Sequence, residues 1–168
     1  MAYRLTKLEL LQEEALQHDI KVTYASLPKR IKGLYCEDYD LPPVIALNKQ
    51  YIADSKEETC IIAEELGHYY TSSGDLLDEA ADITVVRKQE EKARRWAAKR
   101  IISLNDIINA YEYGARTQLE FAEYLETGED FLCWAIDYYR KKYGIMKAVD
   151  SKYIIYFEPF GIMRMLLK

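Results

Sequence analysis

Glu64, Glu65 and His68 are the residues of this chain whose types and spacing fit a chemical task. They lie in the run Ala63-Glu64-Glu65-Leu66-Gly67-His68. Glu64 and His68 are four apart, so on a helix they stack on one face, and Glu65 reaches the same face from three before His68. This is the geometry of a HExxH helix with glutamate in place of the first histidine. In HExxH the outer two residues bind a metal and the inner glutamate activates water. Carboxylate oxygen is a competent zinc ligand, so EExxH keeps the capacity. The plain alternative is a solvated face that happens to carry two glutamates and a histidine. Tyr69 and Tyr70 follow directly and are candidates for hydrogen-bonding a developing oxyanion or the substrate, or else for simple packing. Gly67 costs about 1 kcal/mol against Ala inside a helix, which points to close approach of another backbone or to a kink.

A third ligand is offered downstream. Val86, Glu90, Ala93, Ala97 and Ile101 form one stripe at helical spacing, apolar except for Glu90. A carboxylate on a buried stripe is costly unless it is paired or holds a metal. Glu90 is therefore either the third ligand or half of a structural ion pair. Glu91 differs, because Arg87 and Arg95 flank it four residues either way, as in an ordinary solvated pair. Glu64, His68 and Glu90 would bring a formal charge of -2 to a divalent ion. Such a site makes a weaker Lewis acid than one with two histidines, and its oxygen donors shift preference toward harder ions. Zn2+ is the expected ion, with Mn2+ or no tightly bound metal as the alternatives.

Composition narrows the classes. The chain has 168 residues, a net charge of -5, three cysteines and two histidines. Two histidines exclude a three-histidine site, and Cys36, Cys60 and Cys133 lie too far apart for a zinc finger. Any metal site must lean on carboxylates. Scattered, odd-numbered cysteines fit a reducing cytoplasm. The N-terminal stretch has no unbroken apolar run, so neither a signal peptide nor a membrane span is expected. The acidic balance argues against direct nucleic-acid binding. The basic residues from Arg87 to Arg100 read mainly as a solvated helix back. His18, beside Asp19 at a helix end, reads as a surface residue.

These residues need elements to position them. A helix is expected over 5–18, then strands near 20–24, 31–36 and 44–47, with Gly33 as a bulge or turn and Pro42-Pro43 as a separator. Short gaps favour hairpins, so the three strands read as one small antiparallel sheet packed on the motif helix. Val44–Leu47 would lie under that helix, or bind substrate by strand addition. Ser55-Lys56-Glu57-Glu58 has the capping-box pattern, which starts the motif helix at Lys56 and carries it to Ser73-Gly74. Asp75–Ile83 reads as loop or short helix. A long helix follows over 85–102. Three shorter ones are capped by Ser103, Thr117 and Thr127, and the end of the chain reads as a strand and a turn. The last two helices resemble a helix-turn-helix in outline, but Gly128-Glu129-Asp130 at the start of the second would repel phosphate. The expected fold class is α+β and mainly helical. Residues 1–102 would form the site-bearing domain and 103–168 a helical subdomain with a C-terminal strand.

The run VIALN, a capped helix with IIAEELGHYYT, and QEEKARRWAAKRII together resemble the ImmA/IrrE family of metallopeptidases. Glu65 and His68 match that family's general base and second ligand. Glu90, ahead of Ala93 and Trp96-Ala97, matches its third ligand. The departure is Glu64, where most members have histidine. The resemblance implies a metal-dependent endopeptidase of narrow specificity. Its implied substrate is a helix-turn-helix transcriptional repressor of a phage or mobile element, cut to cause derepression. A non-catalytic antirepressor that keeps the fold is the competing expectation. Membership of a toxin–antitoxin pair rests on analogy alone.

Overall fold

A computed structural model describes residues 5–71 and 82–165. The expectations for Asp75 to Ala81 and for the motif helix beyond Thr71 fall outside the described residues. The chain divides into two compact units, Met1–Ala97 and Ala98–Lys168. The class is α+β, with six α-helices and six strands among the described residues.

The first unit opens with α1 (Lys7–Gln17), capped by Thr6, whose hydroxyl accepts from the Glu9 N–H while Glu9 returns a bond to the Thr6 N–H. Strands β1 (Lys21–Tyr24), β2 (Gly33–Asp38) and β3 (Leu41–Leu47) follow. The sheet order is β1-β3-β2, so β3 is central. β2 and β3 are antiparallel, as expected from the short turn between them. β1 instead pairs with β3 in parallel, Lys21 opposite Val44 and Tyr24 opposite Leu47. The reason lies in residues 25–32. Tyr24 and Gly33 both pair with Leu47, so the segment arches over the end of β3. Two strand spacings, about 9.5 Å, are well within the span of eight residues. Asn48 fastens the arch: its Nδ2 donates to the carbonyls of Leu27 (2.9 Å) and Ile31 (3.1 Å), and its N–H to Lys32 (2.8 Å). Asn48 is buried, and these bonds satisfy it.

Pro42-Pro43 lies inside β3 and does not precede it. The prolines are tolerated because β1 pairs only from Val44 onward and because the β2 register shifts between Cys36 and Asp38. With β3 central, strand addition at Val44–Leu47 is ruled out, since both its edges are taken. Helix α2 (Ser55–Thr71) starts one residue earlier than the capping pattern suggested. Asp54 is the cap: its Oδ1 accepts from the Glu57 N–H (2.9 Å), and Glu57 reaches back to the Ala53 N–H (2.7 Å). Its buried face (Ile61, Ile62, Ala63, Leu66) joins Leu11, Ala15, Ile45 and Leu47 in the core of this unit. Helix α3 (Ile83–Ile101) contributes Ala93 and Ala97 to it.

The second unit holds α4 (Leu104–Tyr113), α5 (Gln118–Leu125) and α6 (Glu129–Tyr143). Ser103 and Thr117 form full capping boxes with Asp106 and Glu120. The cap of α6 is Gly128, while Thr127 is buried. The single C-terminal strand becomes three. β4 (Met146–Ala148), β5 (Tyr153–Phe157) and β6 (Phe160–Arg164) form an antiparallel meander. Tyr153, Ile155 and Phe157 alternate inward on β5, as a half-covered strand requires. Tyr139 donates its hydroxyl to the Ile102 carbonyl at 2.7 Å inside this core. No helix among the described residues is long and apolar enough to cross a membrane.

Candidate active site

α2 and α3 meet where neither carries a bulky side chain. A Cβ on Gly67 would stand 2.8 Å from the carbonyl carbon and 2.9 Å from the Cα of Ala93. Close backbone approach, the first of the two readings of Gly67, is therefore its role. This contact sets the spacing of the side chains around it. His68 is buried, and its Nε2 lies 3.4 Å from Glu90 Oε2. Glu64, one turn before His68, places Oε1 at 3.0 Å from Arg94 Nε, one turn after Glu90.

Glu90 departs from the buried stripe expected of it. Ala93, Ala97 and Ile101 are buried, but the Glu90 side chain is 61% exposed. Glu90 sits at the open rim of the site, so burial cost does not compel a ligand role. Its partner among the described residues is His68, not a lysine or arginine. Glu91 pairs with Arg95 as the spacing suggested.

Glu65 is held from the sheet side. Its Oε2 accepts from the Tyr35 N–H of β2 at 2.8 Å. Gly33 permits this, since a Cβ there would stand 2.8 Å from Glu65 Oε1 and collide with Ile61. Gly33 pairs with Leu47 inside β2, so it is a clearance position, and the bulge falls beyond Cys36. Burial pushes the Glu65 carboxyl up to about 7, against the opposing pull of His68 and the Tyr35 N–H. Burial also raises Glu64, with Arg94 opposing. For His68, burial lowers the imidazole, but the carboxylates of Glu90, Glu65 and Glu64 outweigh it and leave it raised. Glu90 is lowered by its bond to His68. A part-buried cluster with carboxyls moved in opposite directions is characteristic of acid–base sites.

The donors can be tested against a divalent ion. Two ligands on a tetrahedral ion with bonds of about 2.0–2.1 Å stand about 3.3 Å apart. The 3.4 Å between His68 Nε2 and Glu90 Oε2 fits that spacing. Glu64 fits by type and by helical position, but its carboxylate faces Arg94. Accordingly, no three His, Cys, Asp or Glu side chains converge among the described residues.

Tyr69 and Tyr70 make polar contacts to α1 and its C-terminal end. Tyr70 donates to Glu14 Oε1 (3.0 Å) and lies 2.7 Å from His18 Nε2, with its ring stacked on Trp96. The Tyr69 hydroxyl is 3.3 Å from His18 Nδ1. His18 is thus an exposed residue with a task, that of joining α1 to the end of α2. Arg94, the Tyr35 N–H and the clearance at Gly33 were missed in the sequence. Only Arg94 left a signal there, since it falls one turn beyond Glu90.

A half-buried glutamate three residues before a histidine, with a second glutamate meeting that histidine from another helix, is an arrangement that acid–base chemistry can use. The chain belongs to the Peptidase_M78 family, whose IrrE N-terminal-like domain matches residues 15–137. No curated protein and no solved structure matches the chain.

Proposed function

We propose that this protein is a zinc-dependent endopeptidase of narrow specificity whose substrate is a helix-turn-helix repressor of a phage or mobile element. The observation that carries the hydrolytic reading is Glu65, a half-buried carboxyl at about 7 held in place by the Tyr35 N–H. A general base works best with a pKa near the working pH. Glu64, His68 and Glu90 would hold the ion. A divalent ion bound there supplies Lewis acidity, lowering the pKa of water and polarising the scissile carbonyl. Glu65 takes the proton from the attacking water and returns it to the leaving amine. Its hydrogen bond to β2 keeps it oriented while it does so. Tyr69 and Tyr70 serve as anchors to α1 in this scheme. The oxygen-rich donor set keeps Mn2+ as a second candidate ion.

The Glu64–Arg94 pair favours a second reading, in which the protein binds the repressor without cutting it, since Glu64 already has a cation. Co-incubation with helix-turn-helix repressors of phages or mobile elements separates the two. Hydrolysis gives discrete fragments with wild type and Zn2+, and none with chelator or with Glu65→Gln. Equal loss of repressor DNA binding for both proteins without fragments would establish the binding reading instead.

A further inference from the structure

We propose that Arg94 is a built-in competitor for the metal site, so that metal loading is an exchange in which Glu64 leaves the guanidinium to join His68 and Glu90. The proposal rests on the metallopeptidase reading above. Glu64 and His68 are one turn apart on α2, and Glu90 and Arg94 one turn apart on α3. The Gly67–Ala93 contact fixes the two helices against each other, so exchange must come from side chains alone. Arg94 has a long side chain that is 40% exposed, so its guanidinium can be solvated when Glu64 turns away. Glu64 is the less exposed partner, at 33%, and needs a cation wherever it points.

The charges account for the exchange. Glu64 and Glu90 bring two negative charges to a site where Arg94 already neutralises one. A divalent ion beside Glu64 neutralises both, and it repels a guanidinium kept 3.0 Å from the same carboxylate. Arg94 therefore lowers metal affinity and protects Glu64 when no ion is bound. A carboxylate suits this double role where histidine would not, because it pairs with arginine and with a metal alike. The substitution at the first motif position and the arginine on the next helix are then one device.

Titration of the metal-free full chain with Co2+, read by the visible absorption of the bound ion, tests this. Arg94→Gln should bind about fivefold more tightly than wild type, or about 1 kcal/mol, the scale of a part-exposed ion pair. Arg94→Lys should stay near wild type. In Glu64→His, which removes the carboxylate that Arg94 holds, adding Arg94→Gln should gain less than about twofold, because the pair is already gone. In wild type, the Arg94 Nε–H resonance should shift as Zn2+ is added, which reads the exchange without any mutation. Equal or weaker binding by Arg94→Gln, an equal gain in Glu64→His, or a static Arg94 resonance during metal binding would each overturn the exchange alone. Absence of binding by wild type and every variant would overturn the metal reading itself, and the exchange with it.

Discussion

Gly67→Ala separates the demands of helix stability from those of the site. In an isolated helix the change is favourable by about 1 kcal/mol. Here the new methyl would stand 2.8–2.9 Å from the Ala93 carbonyl carbon and Cα, where carbon atoms need about 3.5–4.0 Å, and closer still to the carbonyl oxygen. The obstacle is backbone, which cannot swing aside, so α2 and α3 must part by about 0.6–1.2 Å. Overpacking of this kind costs about 3 kcal/mol at its upper end, leaving a net loss of about 2 kcal/mol. The same displacement opens the 3.4 Å between His68 Nε2 and Glu90 Oε2 to about 4.0–4.6 Å. Two bonds of about 2.1 Å then bridge poorly or not at all. Denaturant melts of wild type and Gly67→Ala should show the stability loss. Co2+ titration should show affinity lower by at least about tenfold, the loss typical when the support of a metal ligand is disturbed. A variant as stable as wild type with unchanged Co2+ affinity would refute the assignment of Gly67 as the spacer of the site.

Other consequences are as direct. Glu65 has its folded pKa raised to about 7 from an ordinary 4.5, so the native state holds the extra proton and this contribution to stability falls as pH rises from about 4.5 through 7. Metal-free wild type should lose up to about 3 kcal/mol relative to Glu65→Gln across that window, read by denaturant melts at pH 4.5 and 8, and parallel curves would refute it. Gly33→Ala pushes Glu65 off the Tyr35 N–H, so repressor cleavage should fall far more than the about 1–2 kcal/mol lost in stability. Asp54→Ala should cost about 1 kcal/mol and Ser55→Ala only a few tenths, because Asp54 is the cap of α2; melting of the two variants checks this. Tyr139→Phe leaves the buried Ile102 carbonyl unpaired and should cost about 1–2 kcal/mol, measured in the same way.

What sequence shows and hides here follows the range of each interaction. Ser103 and Thr117 announce their helices because a capping box closes within four residues. Glu65 and His68 are legible for the same reason. The α2 start is misplaced by one residue because Asp54 and Ser55 are both good caps, and only the bonds to Glu57 and Ala53 decide between them. The parallel pairing of β1 is set by Asn48 fastening an arch across a neighbouring strand, which no local pattern encodes. The burial of Glu90 is overstated because a stripe gives the direction of a side chain but not how far a neighbour covers it. Arg94 hides among seven basic residues on one helix, and only the position of Glu64 singles it out.

The alternating pairs between α2 and α3 also act as a ruler. Glu64 meets Arg94 and His68 meets Glu90, two contacts of opposite polarity one turn apart. Sliding α3 by one turn would set Glu90 against Glu64, carboxylate on carboxylate. Sliding it the other way would set Arg94 against His68, cation on imidazole. Each misplaced register is penalised by like charges, while the correct one pairs them all. These pairs act beside the stack of Tyr70 on Trp96, where the two helices otherwise touch through a glycine and an alanine. Charge order thus favours this stagger with no ion or substrate bound.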